Sequence, residues 1–263
     1  MADPSLAGST ILVVLAHPDD ESLACGGTLA RVADAGARVV LICASRGDRG
    51  PIGEGAMPPD EDLGRVRSKE LRAAAAILGV TRLVILGHPD GNLRWADVSQ
   101  FHAELMIALR RYRPDAVLTF GADGLYWHAD HIGVHERTLT AVQSLGADAP
   151  PLYGVTMPAG AMQAVVGAAH ARGAAPFNSA FWGISPNAFG LSADPPAFSI
   201  DVRPWISRKL AALRSHQTQM GPHNPLAWID EDDARRWLGE EHFCRMDAGA
   251  GRLLDQLGHP VPA

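Results

Sequence analysis

The densest chemistry in the sequence lies at residues 16–21, Ala-His-Pro-Asp-Asp-Glu, where an imidazole and three carboxylates fall within five residues. Such groups are costly to bury unless a cation or a hydrogen-bond network satisfies them. His17 and Asp20 are three residues apart and Pro18 stiffens the turn between them, so both side chains can point at one cation. Asp19 then stays free beside the metal. Capping of the helix that follows would account for one carboxylate, but not for the imidazole or the second Asp. A second cluster, Tyr-Trp-His-Ala-Asp-His, occupies residues 126–131. His128 and His131 are three apart with Asp130 between them, placed to orient one imidazole. His135, four residues after His131, is a rival ligand that ranks below it. Taken alone, these histidines also suit ordinary loop and cap roles. Two His and one carboxylate with an open position is the ligand count of a catalytic zinc site, and ferrous iron uses a similar set.

Both clusters must be held by regular elements. Thr10–Ala16 is a continuous apolar run, expected for a strand buried on both faces. Strands are also expected at Arg38–Ala44, Arg82–Leu86, Ala116–Phe120 and Leu152–Met157. Helices are expected at Glu21–Ala35, Leu63–Leu78, Gln100–Tyr112 and His131–Leu145, with Gly36 and Gly79 as stops. This alternation predicts an α/β fold, a Rossmann-like, mostly parallel sheet flanked by helices. A single domain over 1–263 is expected, with its core at about 10–157 and less regular substrate-site elements at about 158–263. In that part, Ala159–Arg172 and Pro204–His216 read as helices, Phe198–Val202 as a strand and Pro176–Pro196 as a loop. The acidic run Asp230–Asp233 reads as the solvated start of another helix. Both chemical clusters directly follow expected strands, at the carboxyl ends where open α/β sheets bind ligands.

Composition narrows the classes. At 263 residues and 47% hydrophobic, the chain has material for a full core and is not wholly disordered. A net charge of −6 argues against non-specific nucleic-acid binding. Three scattered cysteines, Cys25, Cys43 and Cys244, form no CxxC pair, so a reducing cytoplasm fits best. No secretory signal and no membrane span is expected. The strand-to-helix GxGxxG, the Walker A loop, the GxSxG elbow and HExxH are all absent from the sequence.

The AHPDDE of 16–21, the Gly-Gly pair at 26–27 and the HADH of 128–131 together resemble the LmbE/PIG-L family of zinc-dependent de-N-acetylases. Arg67-x-x-Glu70-Leu71, Leu78-Gly79-Val80, Leu86-Gly87-x-x-Asp90-Gly91 and Ser215-His216-Gln217-Thr218-Gln219 extend the likeness over about residues 10–220. The resemblance implies that His17, Asp20 and His131 bind zinc, with Asp19 as general base on the metal-bound water. It implies His128 as general acid or oxyanion stabiliser, tuned by Asp130. Tyr126 matches a tyrosine that mycothiol-pathway members use to polarise the substrate carbonyl, and packing is the equal alternative for it. Arg67 and Asp90 match positions that contact the sugar or its aglycone. The implied reaction removes the N-acetyl group from an N-acetylglucosamine-type glycoside or related small molecule. Alternatives are amide hydrolysis on a thiol-glycoside conjugate or an N-acylated natural product, and a non-catalytic metal-containing binding module. The expected partner is a small N-acetylated sugar, with neither nucleic acid nor membrane, and with a homo-oligomer left open. Specificity is expected from the loops after the strands, where Arg46, Arg49, Trp95, Trp127 and Trp182 suit contacts to a polyol.

Overall fold

The computed structural model describes residues 5–53, 56–57, 60–174, 184–190, 196–246 and 251–261. Trp182 and most of the Pro176–Pro196 loop lie outside the described residues. An eight-stranded sheet organises the chain in the order β3-β2-β1-β4-β5-β7-β6-β8. Its strands are β1 (Thr10–Leu15), β2 (Arg38–Cys43), β3 (Arg82–Ile85), β4 (Ala116–Phe120), β5 (Leu152–Thr156), β6 (Phe198–Asp201), β7 (Glu240–Met246) and β8 (His259–Pro260). The helices are α1 (Asp20–Asp34), α2 (Leu63–Leu78), α3 (Val98–Tyr112), α4 (Gly124–Trp127, one irregular turn), α5 (Ala129–Gln143), α6 (Ala161–Ala171), α7 (Ile206–Ser215) and α8 (Glu231–Trp237).

All six residues of β1 are buried, as a strand in mid-sheet requires. It pairs in parallel with β2, from Thr10 opposite Arg38 to Leu15 opposite Cys43, and on its other edge with β4. The chain runs outward from β1 to β2 and β3, then crosses back to β4 and β5. Neighbouring crossovers therefore diverge between β1 and β4. That divergence opens a crevice at the carboxyl ends of those two strands.

The C-terminal part is more regular than its sequence suggests. β7, which carries no clean alternation, inserts antiparallel between β5 and β6 and extends the parallel sheet. The expected start of the helix at His131 moves to Ala129, because His128 caps α5 by accepting the backbone N–H of Asp130 on Nδ1 at 3.2 Å. Among the described residues, no helix is long and apolar enough to cross a membrane.

The first turn of α1 carries much of the His17–Glu21 cluster, and its direction is set by a break. Cys25 is non-helical at φ −147°, which frees the N–H groups of Gly27 and Thr28. Both donate to the buried carboxylate of Glu241 on β7, at 2.8 and 2.7 Å. Lys209 on α7 donates to that carboxylate at 2.5 Å and to the freed Leu23 carbonyl at 2.9 Å. Gly27 is required here, since a Cβ would lie 2.4 Å from Val202 Cβ. Removing one partner of a buried ion pair strands the other, so Glu241→Ala is expected to lower stability by about 3–5 kcal/mol in denaturant unfolding. The double change Lys209→Met with Glu241→Gln, which removes both charges and leaves an amide oxygen to accept from Gly27 N or Thr28 N, should recover part of that loss, and an unchanged midpoint in the Glu241→Ala variant would contradict the role of the pair.

Candidate active site

β1 delivers His17, Asp19 and Asp20 to the crevice, and β4 delivers residues 126–131 through the α4 turn. The local backbone is strained on both sides. Asp19 has φ +110°, and Leu125 and Trp127 both have φ +67°. Such conformations persist where surrounding contacts over-determine them, and here they surround one point. Gly124, at φ +56°, lets α5 approach, because a Cβ there would meet His131 Cβ at 2.8 Å.

The two imidazoles face each other with lone pairs. His131 Nδ1 lies 3.0 Å from the Gly124 carbonyl, an acceptor, so Nδ1 carries the proton and Nε2 does not. His17 Nε2 lies 3.0 Å from Asp130 Oδ2 and 3.1 Å from Asp90 Oδ1, so it is the protonated nitrogen and Nδ1 the lone pair. His131 Nε2 is then 3.2 Å from His17 Nδ1 and 3.2 Å from Asp20 Oδ1. Three acceptors converge with no proton of their own to share. A cation satisfies that arrangement, and the donor set is one that zinc or ferrous iron accepts. The ligand atoms of His17, Asp20 and His131 all lie within 4.8 Å of one another. Burial alone would raise Asp20, but His131 and His17 outweigh it and hold the carboxylate well below its usual range. For His17, burial opposes protonation, yet Asp130, Asp20 and Asp90 keep the ring well above its ordinary pKa. Without a cation these carboxylates favour a second proton on the ring, at Nδ1, and a metal ion bound there would take that proton's place.

Asp19 stands beside this triad and is not part of it. Its Oδ2 accepts from Arg67 Nη2 at 3.0 Å. Burial pushes the carboxyl up to about 6, against the pull of Arg67. Its side chain makes no capping bond to α1, which leaves it to face the crevice. Asp19, Tyr126 and His128 line a cavity of about 170 Å³ together with His17, Arg67 and Asp90. His128 is held neutral, its pKa brought down to about 4 by burial and by His131 and His17. Because Nδ1 accepts from Asp130 N, the neutral ring carries its proton on Nε2. Tyr126 packs edge-on against His128 and His131. Burial and the negative charges of Asp20 and Asp19 keep it a phenol, well above the usual value.

Three expected residues make contacts that their spacing did not suggest. Asp130 was expected to tune His128, but it meets that ring only through its backbone. Its carboxylate takes His17 Nε2, Gly91 N at 2.7 Å and Leu93 N at 2.8 Å. Asp90, read as a substrate contact, also holds His17 and accepts Arg49 N at 2.7 Å. Arg67, likewise read as a substrate contact, is buried and also spans the Pro18 and Gly47 carbonyls at 2.6 and 2.8 Å. Asp90 and Arg67 nonetheless remain on the cavity wall. His135 stands apart from the triad, its Nδ1 at 2.9 Å from the Phe120 carbonyl. Arg49, one of the expected polyol contacts, also lines the cavity, and Gly50, Pro51, Gly91, Ile184 and Gln219 complete its wall. Gln219 lies in the Ser215–Gln219 motif, the one signal that could have marked it.

The profile of the family GlcNAc-PI de-N-acetylase (PIG-L) matches residues 12–142, which contain both clusters. A 1D-myo-inositol 2-acetamido-2-deoxy-alpha-D-glucopyranoside deacetylase from Thermobispora bispora is 34% identical, over 90% of this chain and 88% of its own. A deacetylase of the same name from Acidothermus cellulolyticus is 31% identical, over 94% and 93%. Among solved structures, a conserved protein from Thermus thermophilus superposes with a TM-score of 0.60 at 26% identity, covering 92% of this chain and 97% of its own. Sequence relatives at this level over nearly the whole length, together with the converged His17, Asp20 and His131, place this chain in the PIG-L family of de-N-acetylases.

Proposed function

We propose that this protein hydrolyses the N-acetyl amide of an N-acetylglucosamine glycoside with a small polar aglycone, of which the inositol glycoside named for its relatives is the first candidate. The observation that carries the reading is a half-buried Asp19 carboxylate, held by Arg67 and facing a cavity that His17 also lines, beside three converging acceptors that could hold a metal. Zinc or ferrous iron held by His17, Asp20 and His131 would polarise the amide carbonyl and make water more acidic, towards a pKa of about 7.

The chain's own groups do the rest. Asp19 takes a proton from the attacking water as its oxygen bonds to the acetyl carbon. Negative charge then develops on the carbonyl oxygen. His128 Nε2–H and the Tyr126 phenol, both neutral and both on this wall, donate to it. The C–N bond breaks, and the leaving nitrogen takes the proton back from Asp19, giving the free amine and acetate. Arg67 favours the ionised Asp19 before the attack and keeps the side chain aimed.

That role for Arg67 sets a pH dependence. Asp19 works only as the carboxylate, so activity falls as pH drops through its pKa, which burial places at about 6 and a bound cation pulls lower. Arg67 lowers that value, so Arg67→Gln raises it and the acid limb of kcat/KM moves to higher pH. Arg67→Lys keeps the limb near its wild-type position. A limb that stays put in Arg67→Gln removes the electrostatic role.

The direct test is primary-amine release by metal-loaded protein from a panel of N-acetylglucosaminides, inositol, malate and chitobiose aglycones among them. Release ranks the aglycones. No release from any of them, with metal bound, overturns the reading.

A further inference from the structure

The Ser215–Gln219 motif has no part in the chemistry described so far, and none of its residues reaches the metal triad. We propose that His216–Gln219 is the brace that holds the general base in its working conformation, with His216 a positioning residue acting through Glu21. The proposal rests on the reading of Asp19 as that base.

The starting point is the strain at Asp19. At φ +110° and ψ −29° it occupies a region that a non-glycine residue keeps only when held. An Asp at a helix N-cap ordinarily satisfies itself by accepting from the first-turn N–H groups. Asp19 does not, because its carboxylate is turned to Arg67. Glu21 supplies the missing restraint, its Oε2 accepting the Asp19 N–H at 3.1 Å. A buried carboxylate can hold that peptide only if it is itself held. Glu21 Oε1 accepts from Ser22 Oγ at 2.5 Å and from His216 Nε2 at 2.8 Å. Glu21 and His216 are each 1% exposed. Ser22 moves with the same turn, so His216 is the contact that anchors Glu21 to another part of the fold.

The next residues of the segment brace the partner of Asp19. Thr218 donates its N–H and Oγ1–H to Glu70 at 2.8 and 2.6 Å. Glu70 lies one helical turn after Arg67 on α2, so this pair fixes the helix that presents the guanidinium. Gln219 donates Nε2–H to the Pro51 carbonyl at 2.6 Å, and Gly53 N donates to the Thr218 carbonyl at 2.8 Å. Those bonds pin the loop whose Gly47 carbonyl takes Arg67, and where Gly50 is so close that a Cβ would sit 2.3 Å from Arg67 Nη1. One short segment thus ties down three separate elements, and each bears on Asp19 directly or through Arg67. Among the described residues, His216 Nδ1 has no hydrogen-bond partner, so Nε2 is the nitrogen through which the ring acts.

Two substitutions of similar size separate positioning from packing. Glutamine can place an amide N–H where His216 Nε2 stands, whereas asparagine is too short to reach Glu21. His216→Asn is expected to lower kcat by about 100-fold, the cost of a 1 Å misplacement, with KM and metal content near wild type. His216→Gln is expected to keep most of kcat. Hydrogen exchange at the Asp19 amide gives a readout independent of turnover. It should accelerate in His216→Asn and not in His216→Gln. Equal kcat in the two variants, or Asp19 amide exchange unchanged in His216→Asn, overturns the brace. Absence of amine release by wild-type protein overturns the deacetylase reading instead, and the exchange comparison then decides the brace on its own.

Discussion

Asp19→Asn is expected to keep its metal and lose turnover by about 10²–10⁴-fold, the usual contribution of a positioned general base. The substitution is nearly isosteric, and the amide oxygen can still accept from Arg67 Nη2, which lies 3.0 Å from Oδ2 in the native chain. What it cannot do is take a proton. The loss should therefore fall on kcat, with KM and metal stoichiometry close to wild type. The geometry makes this separation possible, since the candidate ligand atoms belong to His17, Asp20 and His131 and none to Asp19. Activity within about threefold of wild type in fully metal-loaded Asp19→Asn would remove Asp19 from the role.

His17→Ala has the opposite signature, because the metal itself is lost. In the proposed site His17 contributes a ligand nitrogen on one side, and on the other it is the group on which Asp130 and Asp90 converge, at 3.0 and 3.1 Å. Removing the ring deletes the ligand and leaves two buried carboxylates facing each other without their shared donor. Metal content after dialysis should fall close to zero, and activity with it. Asp130→Asn should be milder, with affinity for the metal down by about 10–100-fold, the usual effect of disturbing the partner behind a ligating histidine. Metal content of the His17→Ala protein by elemental analysis checks the first expectation, and competition with a chelator the second. Unchanged stoichiometry in His17→Ala would show that the ion is held elsewhere.

The parts of this molecule that could be read from the chain are those decided within a few residues. The six apolar residues of β1 announce a strand covered on both faces. Gly79 stops α2 where the chain announces it, at φ +81°. The His17–Asp20 and His128–His131 spacings mark the ends of two strands and supply the three donors that meet. β7 is the counter-example. Its residues alternate poorly, because one edge pairs with β5 and the other with β6 in surroundings set by elements far away in sequence.

Buried strands, and the gathering of candidate metal donors at two strand ends, were thus determined by the sequence itself, since residue type and local spacing are enough to specify them. Which carboxylate serves which group was decided only by the tertiary structure. Asp130 passes over its neighbour His128 and takes His17, 113 residues away. Arg67 takes Asp19 from 48 residues away, and His216 takes Glu21 from 195. The reason is directional. Asp19, Leu125 and Trp127 all have positive φ without being glycines, so no residue pattern announces where the side chains beside them will point. Those turns become stable only once the sheet has brought β1 and β4 side by side and the distant partners are there to hold them.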